Sequence, residues 1–211
     1  MDKIRYAIIG FGGIAENRVA KEGYACDKSR FAPLAKAELV CATDINPARK
    51  EAAEALVLKW HDSIDALLAD PGIQAVYIAT NNASHAALAC AALEAGKAVY
   101  LEKPMAITIE SCDRILETAY RTGSKLFIGH NMRHFPVVLK MKEIIDSGLI
   151  GELQVGWCRH FVSYGGDAYF KDWHSEQKNT TSLLLQKGAH DIDVIHWLAG
   201  GFTKRVVGMG K

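Results

Sequence analysis

The chain has 211 residues and a formal net charge of +1, from 25 Lys and Arg against 24 Asp and Glu. This balance argues against a nucleic-acid-binding surface dominated by basic residues. Hydrophobic residues make up 49% and charged residues 23% of the chain, which excludes broad disorder. No apolar run approaches the roughly 18 residues that a membrane span needs, so we expect no membrane partner.

The N-terminus and the cysteines both bear on the expected compartment. The first residues run directly into an apolar segment, without the charged region and long apolar stretch of a secretory signal. The chain has 5 cysteines, and no two of them are spaced as C-x-x-C. Reduced thiols are the simplest interpretation of an odd, unpatterned set. We therefore expect a cytoplasmic protein.

Short apolar runs alternate with longer amphipathic segments in the first part of the chain. Runs bounded by turn residues and rich in apolar or β-branched residues are typical of strands buried on both faces. Their alternation with helices predicts a doubly wound parallel α/β sheet. The predicted strands are 4–9, 38–43, 57–60 (the weakest), 74–80, 98–101 and 125–129, and the predicted helices are 13–22, 47–58, 63–69, 84–94 (capped by Ser84) and 108–122.

The pattern changes after Gly129, and we place a domain boundary there, with one domain at 1–128 and the next at 129–211. The second part mixes helical patterns with weakly alternating ones and contains a polar segment with aromatic clusters. The predictions are helices at 135–145 and 188–198, strands at 153–162 and 205–209, and a functional loop at 163–181.

A glycine-rich turn follows the first predicted strand and opens the first predicted helix. Gly10, Gly12 and Ala15 fit the pattern G-x-G-x-x-G/A, with Gly13 and Ile14 inside it. The first glycine allows a tight turn, the second lets the backbone approach a pyrophosphate, and the small third residue lets the helix pack on the strand. Free N–H groups at a helix start favour an anion. In this context the motif predicts a Rossmann dinucleotide site.

Asp44 ends the second predicted strand, where Rossmann folds place an acid that accepts hydrogen bonds from the adenosine ribose. The usual offset from the glycines is about 20 residues, and an insertion at 24–36 explains the longer spacing here. An acid disfavours a 2′-phosphate, so NAD is favoured over NADP, although Arg49 on the next helix weakens that preference. Asp44 also fits a helix cap before Pro47, a role compatible with ribose binding.

The motif Glu102-Lys103-Pro104 ends the fifth predicted strand. Together with the glycine loop, the segments 79–85 and 131–136, and Gly188-Ala189-His190, it resembles the Gfo/Idh/MocA oxidoreductases, the glucose–fructose oxidoreductase and inositol dehydrogenase family. The resemblance implies a Rossmann domain followed by an α+β domain with an open antiparallel sheet. It also implies an NAD(P)-dependent dehydrogenase or reductase that acts on CH–OH groups of a sugar, a polyol or a related small molecule.

The resemblance also assigns residue roles. Lys103 corresponds to the catalytic lysine and His190 to the histidine that shares its acid–base work. A solvated strand-end lysine and a capping or core histidine are the alternatives. His85 also fits a helix cap. The residues that the resemblance places near the dinucleotide are Thr80, Asn82, His85, Glu102 and Lys103 itself.

Some positions depart from the family pattern. Gln186 stands where the family commonly has Asp, and residues 180–182 stand where it usually has a glycine run. Because Lys103 and His190 remain, the departures fit a divergent subgroup. The substrate candidates are Arg133, Trp173, Gln186 and Lys187. For Arg133 the alternative is a surface ion pair. Trp173, together with His174, either lines a sugar site or packs under the loop.

The chain is short for this family, so we expect a fragment, or a second domain completed by a partner; a homo-oligomer fits the latter. His190, Asp191, Asp193 and His196 invite a metal interpretation, but they match no metal-ligand spacing and we expect no metal. Two other functions stay open. One is an NAD-dependent redox glycosidase, and the other is a non-catalytic regulator that senses the dinucleotide.

Overall fold

A computed structural model describes residues 3–161 and 166–209, and its chain divides into two compact units, Met1–Gly129 and His130–Lys211. The first unit contains a six-stranded sheet in the order β3-β2-β1-β4-β5-β6, and every neighbouring pair is parallel. This order reverses between β1 and β4, which is the arrangement of a Rossmann fold. The strands are β1 (Ile4–Ile9), β2 (Ala37–Thr43), β3 (Lys59–Trp60), β4 (Ala75–Ile78), β5 (Ala98–Leu101) and β6 (Leu126–Ile128).

The sheet is buried on both faces, as the apolar runs predict. Successive side chains of a strand point to opposite faces. Ala7 and Ile9 of β1 accordingly join one core cluster, and Ile8 joins the other. All three are at most 1% exposed. The predicted parallel α/β fold of this unit is therefore confirmed.

Helices follow the strands at the predicted places, but two details differ. The first helix, Ala15–Gly23, is π-type: the Tyr24 amide donates to the carbonyl of Val19, five residues earlier, at 2.8 Å. Ala15, Val19 and Ala20 are its buried residues, and their spacing of four and five suits this wider winding. The α-helices of the unit are α1 (Lys50–Ala55), α2 (Ile64–Ala69), α3 (His85–Glu94) and α4 (Ile109–Thr122), and short 3₁₀ turns at Pro47–Arg49 and Asn82–Ser84 precede α1 and α3.

The predicted cap at Ser84 is wrong. The 3₁₀ turn before α3 moves the capping position back, so Asn81 Oδ1 accepts the Ser84 amide at 3.1 Å. The Ser84 hydroxyl instead contacts the main-chain carbonyl of Asn81 and the hydroxyl of Thr80. Ser63 caps α2 through its hydroxyl, and Gly123 ends α4 in the left-handed conformation.

In its described residues the second unit is helical. The predicted strand at 153–162 is not formed over 153–161, which are exposed and irregular, and residue 162 lies outside the described residues. Residues 205–209 form no strand either. A strand needs a hydrogen-bonded neighbour, and the described part of this unit supplies none. The two longer helices in the described residues are α5 (Pro136–Asp146) and, after the short α6 (Gln177–Thr180), α7 (Ala189–Ala199). A π-type turn (Leu184–Gly188) leads into α7, and the remaining short helices are Asn131–His134, Gly166–Phe170 and Asp172–Ser175.

The segment predicted as a functional loop, 163–181, contains three of these short helices. Its residues 163–165 lie outside the described residues. Across the part of the chain that is described, no helix combines the length and apolarity needed to cross a membrane.

Candidate active site

The glycine loop connects β1 to the first helix, and its first glycine is required by the backbone. Gly10 has a φ of +89°, and its amide donates to the Thr43 carbonyl at 2.9 Å. A Cβ at Gly10 would lie 2.7 Å from Thr80 Cγ2 and 2.8 Å from the carbonyl oxygen of Ala79. The predicted tight turn is thus present, and it passes close to the end of β4.

The next two glycines have a different environment. A Cβ at Gly12 or Gly13 would meet no heavy atom within 4 Å, and neither residue has a left-handed φ. Ile14 beside them is 66% exposed, whereas Ala15 is only 1% exposed and packs in the core. The fold itself therefore does not require glycine at 12 and 13. An open concave stretch of backbone at a helix start fits a pyrophosphate that must approach closely.

Asp44, at the end of β2, is bound directly to the glycine loop. Its Oδ2 accepts the Phe11 amide at 2.6 Å and its Oδ1 accepts the Asn46 amide at 2.8 Å. The alternative role as a cap before Pro47 is wrong, because Asn46 is the capping residue of that turn. Both carboxylate oxygens of Asp44 thus accept backbone amides, and each has a further lone pair that can accept another hydrogen bond.

Arg49, which was expected to weaken the preference for NAD, is paired with an acid. Its guanidinium lies 3.7 Å from a carboxylate oxygen of Glu16 in the first helix. Glu16 also accepts a hydrogen bond from Lys21 at 2.7 Å. Glu16 is therefore paired with both Lys21 and Arg49, and Asp44 is the acid that contacts the glycine loop.

Glu102 and Lys103 follow β5. One Glu102 carboxylate oxygen accepts the Tyr77 hydroxyl, and the other accepts the Lys103 amide at 3.1 Å. Burial, followed by the charge of Glu102, raises the pKa of the Tyr77 phenol, which therefore stays a donor. Glu102 thus anchors the turn that presents Lys103, whose side chain is partly exposed.

His85 joins this turn to the end of β4. Its Nδ1 lies 2.8 Å from the carbonyl oxygen of Pro104 and its Nε2 lies 3.2 Å from that of Thr80. The side chain is 1% exposed, and burial lowers its pKa, so the neutral ring donates to one carbonyl at a time. His85 therefore joins the Lys103–Pro104 turn to the end of β4, and its expected place near the dinucleotide stays a prediction.

Thr80 and Asn82 lie next to the His85 clamp, that is, the two contacts of His85 with the carbonyls of Pro104 and Thr80. The Thr80 hydroxyl contacts the Ser84 hydroxyl at 2.7 Å. Asn82 is 5% exposed, and its Nδ2 has no hydrogen-bond partner among the described residues. A buried polar atom in this position fits a ligand that would supply the acceptor. The glycine loop, Asp44, Thr80 and Lys103 all follow the carboxyl ends of parallel strands, where open α/β sheets bind ligands.

In the second unit an acid of α7 organises the predicted residues. Asp193 forms a two-pronged ion pair with Arg133, whose Nε lies 2.7 Å from Oδ2, and its Oδ2 is 3.7 Å from His130 Nδ1. The hydrogen bonds that Arg133 donates to the Asp193 carboxylate raise the pKa of Arg133. The rings of His130 and His190 meet edge to face at 6.4 Å, and His190 is 8% exposed. Arg133 is thus in the ion pair that the sequence left as an alternative.

Gln186 and Trp173 both contact His174. The Gln186 amide binds the side chain and the main chain of His174, and the Trp173 ring stacks on the imidazole with 3.7 Å between centroids. Lys187, the next residue, is partly buried. Two of the predicted substrate candidates, Trp173 and Gln186, therefore contact one histidine, and Lys187 follows Gln186 in the chain.

The acids and histidines of α7 are bound to separate partners. Asp191 lies 2.8 Å from His160 Nδ1, Asp193 binds Arg133, and His196 Nε2 lies 2.6 Å from the Thr203 hydroxyl. Over residues 3–161 and 166–209, no group of three or more metal-ligating side chains is arranged to hold an ion.

Four contacts at the site have no local signal in the sequence. Asp193 and Arg133 are 60 residues apart, and Glu102 and Tyr77 are 25 apart. The binding of Asp44 to the glycine loop and the clamp from His85 to Pro104 likewise join separate elements. Only the fold brings these pairs together. For Asp44 the Rossmann pattern predicts that the ends of β1 and β2 are neighbours, but it does not predict the hydrogen bond to Phe11.

Comparison with known proteins identifies the family. Residues 4–130 match the model of the GFO/IDH/MocA oxidoreductase family, NAD-binding Rossmann fold, and residues 138–211 match the GFO/IDH/MocA C-terminal domain. The chain belongs to the Gfo/Idh/MocA family. The predicted resemblance and the expectation of an NAD cofactor are confirmed at this level.

The relatives include enzymes with different substrates. The chain is 34% identical over 171 residues to a 1-carboxy-3-chloro-3,4-dihydroxycyclohexa-1,5-diene dehydrogenase of Comamonas testosteroni, covering 79% of this chain and 42% of the relative. It is 32% identical to the inositol 2-dehydrogenase of Salmonella typhimurium, covering 80% and 49%. The WlbA dehydrogenase of Bordetella pertussis, solved with NADH and UDP-GlcNAcA, is 26% identical with a TM-score of 0.75, covering 93% and 55%. The chain thus spans about half the length of the relatives it matches.

Proposed function

We propose that this chain is the dinucleotide-binding part, and the first part of the substrate-binding domain, of an NAD-dependent dehydrogenase or reductase acting on CH–OH groups. The observation that carries this proposal is the open backbone at Gly12 and Gly13, where a glycine serves no packing need of the fold. The family membership and the dehydrogenases among the relatives support it.

The chain's own residues divide the work of holding the cofactor. The Gly10–Ala15 loop and the start of the first helix bind the pyrophosphate, and Asp44 accepts the ribose hydroxyls. Asp44 places negative charge where a 2′-phosphate would add more, and Arg49 is paired with Glu16 instead of standing free to bind that phosphate. NAD is therefore preferred over NADP. Thr80 and Asn82 line the adjoining part of the site.

Lys103 and His190 handle the proton. When bound, the nicotinamide supplies the hydride acceptor or donor. Lys103 takes or returns the hydroxyl proton at Nζ. Its turn is held by the bond from the Lys103 amide to Glu102 and by the contact of His85 with the Pro104 carbonyl. His190 orients the reacting hydroxyl or relays that proton. The substrate is a sugar, a polyol or a related compound, the class to which inositol, named in one relative, belongs.

The second unit is proposed as an incomplete α+β domain. Both segments expected as antiparallel strands carry exposed apolar residues, among them Trp157 at 80% and Val207 at 90%. Further strands, from this chain's continuation or from a partner copy in a homo-oligomer, would pair with these segments. All five cysteines are free thiols, which fits a cytoplasmic location.

The test is turnover by wild type and by Lys103→Ala and Lys103→Arg on a panel of polyols, sugars and nucleotide sugars, followed by nicotinamide absorbance. We expect NAD-dependent turnover for at least one compound, its loss by at least 100-fold in both variants, and an NAD Kd within about threefold of wild type. Near-wild-type turnover by Lys103→Ala would remove Lys103 from the proposed role. Absence of any turnover by a folded, NAD-bound chain would refute the proposed activity for this chain.

A further inference from the structure

The contact between Gln186 and His174 fixes more than a position. Gln186 is 4% exposed and lies in the π-type turn Leu184–Gly188. Its Oε1 lies 2.9 Å from the Nδ1 of His174, and its Nε2 donates to the main-chain carbonyl of the same residue at 3.0 Å. Both ends of one buried amide therefore engage one histidine.

This pair of bonds determines where the imidazole proton lies. A carbonyl oxygen only accepts, so the amide nitrogen of Gln186 must face the carbonyl of His174. The amide oxygen then faces Nδ1, and an oxygen acceptor requires a proton on that nitrogen. A neutral imidazole has a single N–H. The Nε2 of neutral His174 is consequently left with its lone pair.

The ring is held in place on its other sides as well. Trp173 stacks on it with 27° between the planes, and Tyr169 meets it edge to face at 6.0 Å. The Thr180 hydroxyl donates to the same main-chain carbonyl at 3.4 Å. His174 nevertheless remains partly exposed, so a molecule from solvent can reach the residue.

Gln186 also relates His174 to the proposed acid–base group. Residues four apart on a helix lie on neighbouring positions of one side. Gln186 and His190 have this spacing in the continuous helical run 184–199, and both are buried. The amide that orients His174 is therefore on the same side of the helix as His190.

We propose that His174 is a further residue of the substrate site, whose Nε2 accepts a hydrogen bond from a substrate hydroxyl, and that Gln186 is the positioning residue that keeps this nitrogen unprotonated. The inference rests on the proposed function and adds a specificity-determining acceptor to it. An acid at position 186 would act differently, because a carboxylate stabilises the imidazolium and cannot donate to the His174 carbonyl.

The first test is ¹⁵N NMR of the labelled protein, which reads each imidazole nitrogen without any substrate. We expect neutral His174 to be protonated at Nδ1 and unprotonated at Nε2, and we expect Gln186→Leu to lose this preference. A wild-type His174 that carries its proton on Nε2 would overturn the inference and leave the proposed function intact.

The second test uses kinetics with a substrate established for the wild type. His174→Phe, His174→Gln and Gln186→Leu should each lower kcat/KM by about tenfold or more, with the NAD Kd within twofold of wild type. Gln186→Glu should shift the acid limb of the kcat/KM profile to higher pH, which a purely structural role would not do. His196→Gln is the control, since that histidine contacts Thr203 near the far end of α7.

The failures of the two proposals are distinguishable. Wild-type kinetics in both folded His174 variants, with an unshifted Gln186→Glu profile, would overturn the substrate role of His174 while turnover and NAD binding remain. A folded wild type that binds no NAD would instead remove the proposed function, and the substrate role of His174 would fall with it.

Discussion

Alanine at Gly10 and at Gly12 should have opposite consequences, although the two glycines are only two residues apart. At Gly10 the left-handed φ of +89° costs an L-residue about 1–2 kcal/mol, and the contacts of a Cβ at 2.7 and 2.8 Å add about 1–3 kcal/mol. At Gly12 a Cβ meets nothing within 4 Å. Gly12→Ala should change the free energy of unfolding by less than about 1 kcal/mol.

For NAD binding the two substitutions have the reverse order of effect: Gly12→Ala is the more harmful one. A methyl group at Gly12 lies where the pyrophosphate must approach, so Gly12→Ala should weaken NAD binding by at least about tenfold, equivalent to about 1.4 kcal/mol. Gly10→Ala should unfold about 2–5 kcal/mol more easily, a large part of the stability of an ordinary domain. Gly96→Ala is the control for strain alone, because Gly96 has a φ of +72° with open space around it.

The assays are denaturant unfolding and calorimetric titration with NAD on the same four samples. We expect Gly96→Ala to lose about 1–2 kcal/mol of stability and to keep the wild-type Kd. The reasoning fails if Gly12→Ala binds NAD as tightly as wild type, because glycine at 12 would then serve neither the fold nor the ligand. It also fails if Gly10→Ala is as stable as wild type.

Three further predictions follow from other contacts. Asp44→Ala should raise the NAD Kd by about tenfold or more and lower stability by about 1–3 kcal/mol, since two backbone amides lose a charged acceptor; an unchanged Kd would exclude ribose binding. His85→Leu should lower the free energy of unfolding by about 2–4 kcal/mol. It should also reduce kcat more than an equally destabilising His61→Ala variant does. Equal kcat values in the two variants would contradict the positioning role of His85. A hydrogen bond from Lys59, then the Gly72 amide, lowers the pKa of Asp70 to about 2. This lowered pKa contributes about 1 kcal/mol of stability after solvent screening, which is present above about pH 4 and is lost as the pH falls through 2. The free energy of unfolding, measured with denaturant from about pH 5 to about pH 2, should therefore decline less steeply in Asp70→Asn than in wild type. Parallel curves for the two proteins would contradict this prediction.

The Rossmann sheet could be predicted from sequence because its strands are buried on both faces and read as continuous apolar runs. The same property makes Ala7, Ile8 and Ile9 nearly inaccessible to solvent. Local chemistry also predicts the turn at Gly10, which needs a positive φ. The π-type winding of Ala15–Gly23 could not be predicted, because a helical hydrophobic pattern does not distinguish spacings of four and five over so short a segment.

The sequence proposes residues for the candidate site but does not predict the contacts that these residues make. The sequence places Asp44 and His85 near a dinucleotide, but their hydrogen-bond partners, Phe11 and Pro104, are determined by how separate strand ends meet. Arg133 finds Asp193 across 60 residues in the same way. The strand expected at 153–162 has the right pattern, but forming a strand depends on a neighbour that no local pattern specifies.

The central claim is that this chain binds NAD through its glycine loop and Asp44, and one calorimetric titration with NAD and with NADP tests it most directly. We predict one NAD bound per chain, with NADP weaker by tenfold or more because Asp44 repels the 2′-phosphate. Tighter binding of NADP would contradict the roles given to Asp44 and Arg49. No binding of either dinucleotide to a sample that is folded by circular dichroism would contradict the account as a whole.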